Sequence, residues 1–208
     1  MKPEEIMSLS PVMPVVTIDD AAQAVPMAKA LVAGGIRVIE ITMRTNAALE
    51  AITAIAEAVP EALVGAGTVL TPTALTASVR AGAKFALSPG ATPHLLAAAK
   101  KAEIPFIPGI ATASEAMTAF EHGYTCFKFF PAAQLGGPAG LKALIAPLPN
   151  ARFCPTGGVN PTNAREYLAI DKVLCVGGSW LTPKNAMANG DWDAIEALAQ
   201  EAANLKPS

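Results

Sequence analysis

The chain has 208 residues, 52% of them hydrophobic and only 15% charged, against about 25% charged in a typical soluble domain. That length suits one domain with a continuous core, and a net charge of −2 supplies no field to gather nucleic acid or to coat an anionic membrane. The shortage of charge predicts that some surface is covered by further copies of the same chain.

The N-terminal run M-K-P-E-E-I-M-S-L-S carries two acidic residues and no apolar block, unlike a secretory signal. No run approaches the ~18 apolar residues of a membrane helix. Residues 1–11 are expected to be an N-terminal extension to a single domain spanning 1–208. Short runs rich in Val, Ile and Phe follow in chain order: 14–18, 38–43, 63–69, 85–89, 106–110, 126–131, 153–158 and 173–178. Between them the pattern is helical. Asp19 to Ala33 ends at Gly34-Gly35, a helix stop. Thr45 to Val59 ends before Pro60, and Thr71-Pro72 pairs a cap with proline at the first helical position. Ser114 and Asn160-Pro161 are further candidate starts, and Asp191 opens a last helix to about Leu205.

Eight strand–helix units in strict alternation predict an α/β fold, a closed (β/α)8 TIM barrel. The alternative is an open doubly wound sheet. The fingerprint of a dinucleotide-binding sheet is absent, because Gly65-Ala66-Gly67 runs into Thr-Val-Leu without a third glycine. Three cysteines, Cys126, Cys154 and Cys175, are odd in number and separated in sequence. They fit a reducing compartment, hence a cytoplasmic expectation. With only His94 and His122, neither given a role, a zinc site of histidines and thiolates is not expected.

Catalytic side chains of a barrel sit at the C-terminal ends of its strands, so polar residues inside apolar runs are the candidates. Lys128 lies in C-F-K-F-F-P. Burial there would strip an ammonium of water, and a neutral amine can attack a ketone. The competing reading is a lysine whose stem covers apolar surface while its head reaches solvent. Alternation puts Cys126, Lys128 and Phe130 on one face and Phe127 and Phe129 on the other. Cys126 reads as small core filler and Phe130 as a candidate substrate contact. Glu40, in V-I-E-I-T-M-R, shares a face with Val38, Thr42 and Arg44. A carboxylate in the lumen is costly unless paired or functional. It could move protons beside a lysine imine, or pair with Lys128 or Arg44. Arg44 offers a fork for a carboxylate, though a rim ion pair is its commoner fate. Thr68 closes G-A-G-T, with glycines that permit close approach. Gly157-Gly158 and Gly177-Gly178-Ser179 follow the seventh and eighth strands, where barrels often bind phosphate. Thr156, on the Cys154 face, could donate to substrate.

Together E-I-T-M-R-T, V-G-A-G-T-V-L, S-P-G, I-P-G-I-A-T, F-K-F-F-P-A, R-F-C-P-T-G-G-V and C-V-G-G-S-W-L resemble the 2-keto-3-deoxy-6-phosphogluconate aldolase family, also described as 4-hydroxy-2-oxoglutarate aldolases. The likeness spans nearly the whole chain, in order. It implies a homotrimeric, metal-independent class I aldolase of the Entner–Doudoroff route, acting without cofactor on a small phosphorylated keto acid. The family's Schiff-base lysine falls on Lys128 and its acid/base glutamate on Glu40. Its substrate contacts fall on Arg44, Thr68 and Thr156, and its phosphate loops on Gly157, Gly158, Gly178 and Ser179. Ala133 departs from the family, where an acidic residue often follows F-F-P-A. Less favoured expectations are the same chemistry on 4-hydroxy-2-oxoglutarate or the galactonate epimer, a phosphosugar isomerase, and a non-catalytic phospho-ligand sensor.

Overall fold

The computed structural model describes residues 1–205; residues 206–208 of the expected domain lie outside the described residues. The strands are β1 Val12–Val16, β2 Val38–Thr42, β3 Leu63–Gly67, β4 Ala86–Leu87, β5 Phe106–Ile107, β6 Gly109–Ile110, β7 Cys126–Phe129, β8 Arg152–Pro155 and β9 Val176–Gly178. All pair in parallel, in the order β5-β4-β3-β2-β1-β9 and β6-β7-β8. Bridges Phe153↔Val173 and Thr156↔Gly177 join β8 to β9. These bridges join one end of the two strand series, and β5 and β6, separated only by Pro108, join the other, so the ring closes and the open doubly wound alternative is overturned.

Local chemistry explains where the elements depart from the pattern in the sequence. The fifth strand is split into β5 and β6 at Pro108, which has no N–H to donate. Its successor Gly109 sits so close to Pro89 that a Cβ would lie 2.2 Å from the Pro89 carbonyl carbon. The first strand begins at Val12, two residues before the expected run. Proline usually opens a strand, yet Pro14 lies inside β1, opposite Gly178. The last expected strand, 173–178, is regular only over Val176–Gly178, which is β9.

Helices cover the outside: α2 Ala24–Ala33, α3 Ala48–Ala58, α4 Pro72–Arg80, α5 Pro93–Ala99, α6 Ala113–Glu121, α7 Gly137–Ile145, α8 Ala164–Leu168, α9 Lys184–Asn189 and α10 Trp192–Ala203. Thr71 caps α4 by accepting from the Ala74 N–H at 3.1 Å, and Asp191 caps α10 by accepting from Ala194. α6 starts at Ala113, because Thr112 and Glu115 form a reciprocal capping box two residues before Ser114. Asn160 opens a turn through its own side chain, and α8 begins only at Ala164.

Two apolar clusters follow from strand alternation. Phe127 and Phe129 face outward into the layer beneath the helices, where Phe127 meets Phe120 of α6 edge-on at 5.4 Å. The lumen cluster holds Met13, Val38, Phe85, Leu87, Ile107 and all three cysteines. It also holds Ile6 and Met7 of α1 Pro3–Met7. This short helix plugs the N-terminal end of the barrel, and burying two such side chains is worth about 1.5–3 kcal/mol each.

Candidate active site

Strand direction leaves the C-terminal end of the barrel open, and a cleft of about 980 Å³ occupies it. At its base Lys128 of β7 reaches across the lumen to Glu40 of β2, with Nζ 2.8 Å from Oε1. Lys128 is 4% exposed and Glu40 1%. The lysine head does not reach solvent beyond the barrel, and of the two partners open to Glu40 it is Lys128, not Arg44, that takes the carboxylate. Ladder partners set the placement. Glu40 lies between Val15 and Gly65, and Lys128 between Gly109 and Cys154. Gly67 makes room for the carboxylate, since a Cβ there would fall 2.0 Å from Glu40 Oε1. The Lys128 ammonium also stands 5.9 Å from the centre of the Phe130 ring, within cation–π range.

Above this pair, Arg44, Phe130, Thr156, Gly157, Gly158, Gly178 and Ser179 line the cleft with Lys128. Arg44 is exposed and forms no ion pair with a carboxylate among the described residues. Thr68 does not line the cleft. It follows β3 beside it, half-buried, with φ +57°, a left-handed conformation that costs a β-branched residue roughly 1–3 kcal/mol.

The two glycine pairs differ in kind. Gly157 and Gly158 have φ of +97° and +73°, and Gly158 packs so tightly that a Cβ would lie 2.4 Å from the Ala133 Cβ. The Ala133 N–H donates to the Gly157 carbonyl at 3.0 Å. Gly177 and Gly178 are not in the left-handed region. They lack side chains because Thr156 and Trp180 occupy that space, with virtual Cβ contacts of 2.2 Å and 1.8 Å.

Beneath the ion pair lie the thiols of Cys126, Cys154 and Cys175, all free and buried. The Cys154 thiol is held below its ordinary pKa first by its hydrogen bond with Cys175. Burial opposes that shift, and the Lys128 charge assists it. Cys175 is raised by the same bond and by burial, and burial pushes Cys126 up.

Sequence reasoning passed over Thr17, Asp19, Asp20, Gln23, Thr182 and Lys184, which complete the cleft wall. Thr17 carried a usable signal: by alternation it shares the lumen face of the first strand with Met13 and Val15.

Residues 4–198 match the family described as KDPG and KHG aldolase. The chain belongs to that family. It is 55% identical over 199 residues to the KHG/KDPG aldolase of Escherichia coli K12, covering 96% of this chain and 93% of that protein. The 2-dehydro-3-deoxy-phosphogluconate aldolase of Dickeya dadantii matches at the same identity and coverage. Among solved structures, the KDPG aldolase of Legionella pneumophila superposes with a TM-score of 0.96 at 46% identity, over 98% of this chain and 99% of that one. Its pyruvate was captured as a covalent carbinolamine intermediate. The Zymomonas mobilis enzyme with 3-phosphoglycerate superposes at 0.93 and 45% identity, over 99% and 96%. As a KDPG/KHG aldolase family member with a barrel of this shape, the chain is a class I aldehyde-lyase, and among the described residues no helix is long and apolar enough to cross a membrane.

Proposed function

We propose that this chain cleaves 2-keto-3-deoxy-6-phosphogluconate to pyruvate and glyceraldehyde 3-phosphate through a Schiff base on Lys128. The observation that carries the reading is the buried 2.8 Å contact between Lys128 and Glu40 at the base of the cleft. A buried ion pair is expensive to maintain, and passing one proton from Nζ to the carboxylate removes both charges and leaves an amine able to attack a carbonyl.

The amine adds to the C2 ketone to give a carbinolamine, and protonated Glu40 returns its proton to the departing hydroxyl, so that water leaves, the iminium forms and Glu40 is a carboxylate again. Glu40, as carboxylate, takes the proton of the C4 hydroxyl, directly or through water. The C3–C4 bond breaks, its electron pair moves into the iminium to form an enamine, and the aldehyde departs. Protonation at C3 and hydrolysis return pyruvate and free Lys128. Arg44 offers two parallel N–H donors to the pyruvate carboxylate, and Thr68, just past the end of β3 and beside the cleft, is its proposed second contact. Phe130 and Thr156 flank the reacting carbons. Gly157, Gly158, Gly178 and Ser179 take the terminal phosphate through backbone N–H groups and one hydroxyl. An isomerase on the same barrel would need an acid and a base but no imine.

The shorter 4-hydroxy-2-oxoglutarate, yielding pyruvate and glyoxylate, is a second substrate on this reading, because the family and the E. coli relative carry both activities in their names. The enzyme works as a cytoplasmic homotrimer with the whole chain as one domain, and light scattering should return three chain masses. Pyruvate release from the phosphorylated acid, its galactonate epimer and 4-hydroxy-2-oxoglutarate tests the substrate assignment. The first should give the highest kcat/KM, and no turnover of any of them would refute it.

A further inference from the structure

Thr17 has no part in the reaction outlined above, yet it is exposed and lines the cleft. The pairing of Val15 with Glu40 and of Val16 with Ile41 carries Thr17 alongside Thr42 of β2. The pairing of Pro14 with Gly178 turns its other flank toward the end of β9. Thr42 is fully buried. Its Oγ1 lies 2.9 Å from the Val16 carbonyl oxygen and 3.0 Å from Thr17 Oγ1.

These distances fix the direction of both hydrogen bonds. A carbonyl oxygen only accepts, and a threonine hydroxyl has one proton. The Thr42 proton goes to Val16, because two lone-pair-bearing oxygens at 2.9 Å would otherwise face each other without a hydrogen. Thr42 Oγ1 is then the acceptor for Thr17, whose own proton is thereby committed. What Thr17 turns to the cleft is lone pairs, so it can accept from a ligand but not donate to it.

On the function proposed above, on which this inference rests, a bound substrate has C2 at Lys128, C4 beside Glu40 of β2 and its phosphate at Gly178 and Ser179, at the end of β9. β1 is the strand between β2 and β9, and the atom between C4 and the phosphate-bearing carbon is C5, with its hydroxyl. We infer that Thr17 accepts a hydrogen bond from the C5 hydroxyl and so favours the phosphorylated six-carbon acid over 4-hydroxy-2-oxoglutarate. The shorter acid has a carboxylate at C5. It offers no proton, and its oxygens meet the Thr17 lone pairs unfavourably.

The test measures kcat/KM on both acids for the wild type, Thr17→Val and Thr17→Ser, with borohydride trapping of pyruvate as a check on the imine site. Thr17→Val keeps the side-chain shape and removes the oxygen. It should lower kcat/KM for the phosphorylated acid about fivefold to tenfold, the worth of one neutral hydrogen bond. Activity on the shorter acid should hold or rise, and pyruvate trapping should not change. Thr17→Ser should stay within about twofold of wild type on both. An equal fall on both acids, no change on either, or a serine variant as impaired as the valine one overturns the inference. A wild type that cleaves only the shorter acid also overturns it while leaving the imine mechanism standing. A wild type that neither cleaves an acid nor traps pyruvate defeats the proposed function with it.

Discussion

The base of the cleft and its mouth differ in how each polar group is satisfied before any ligand arrives. At the base, Lys128 and Glu40 are almost wholly buried and bonded to each other. At the mouth, Arg44, Thr17 and Ser179 are exposed, and Arg44 has no carboxylate partner among the described residues. A buried charge must be paired to exist at all, so the base carries its chemistry as an internal ion pair that the substrate has to open. An exposed group is paired by solvent and can wait for a ligand. Changes at the base should therefore damage catalysis and fold together, whereas changes at the mouth should alter recognition alone.

The largest effect is expected for Lys128→Ala, with kcat for cleavage falling on the order of 10⁴-fold or more, as for removal of a covalent nucleophile. Because Glu40 would be left buried without its partner, stability should fall by about 3–5 kcal/mol, read by denaturant unfolding. Glu40→Gln keeps the shape and loses the proton acceptor, so kcat should drop about 10²- to 10⁴-fold with KM little changed. Arg44→Ala, at the mouth, should raise KM about tenfold to a hundredfold and leave the melting temperature unmoved. An Arg44 variant that instead lost kcat and stability would break the contrast. Smallest is Ser179→Ala, with a rise in KM of about tenfold or less, confined to phosphorylated substrate. Steady-state kinetics on both acids, beside thermal melts, reads all four.

The same contrast explains what could be read from the sequence. The base was legible because burial makes exceptions conspicuous. A lysine within C-F-K-F-F-P and a glutamate within V-I-E-I-T stand out against apolar neighbours, and alternation assigns their face. The closed barrel followed from repeated strand–helix alternation. The mouth was less legible. Thr17 is an ordinary strand residue by type, and its meaning depends on Thr42, distant in sequence and adjacent only through the β1–β2 register. The two glycine pairs look alike as letters, yet one sits in left-handed turns while the other clears space for Thr156 and Trp180. Residues 1–11 also hid their structure, because a five-residue helix is too short to display a helical period. The break at Pro108 and the cysteine trio in the lumen likewise emerge only when the strands are side by side.

The central claim is that the ε-amine of Lys128 forms the covalent bond with substrate. Incubation with pyruvate and borohydride, followed by peptide mass mapping, tests it directly. The account predicts a single reduced three-carbon adduct on the peptide containing Lys128, absent from Lys128→Ala. An unlabelled protein, or label on any other lysine, would contradict it.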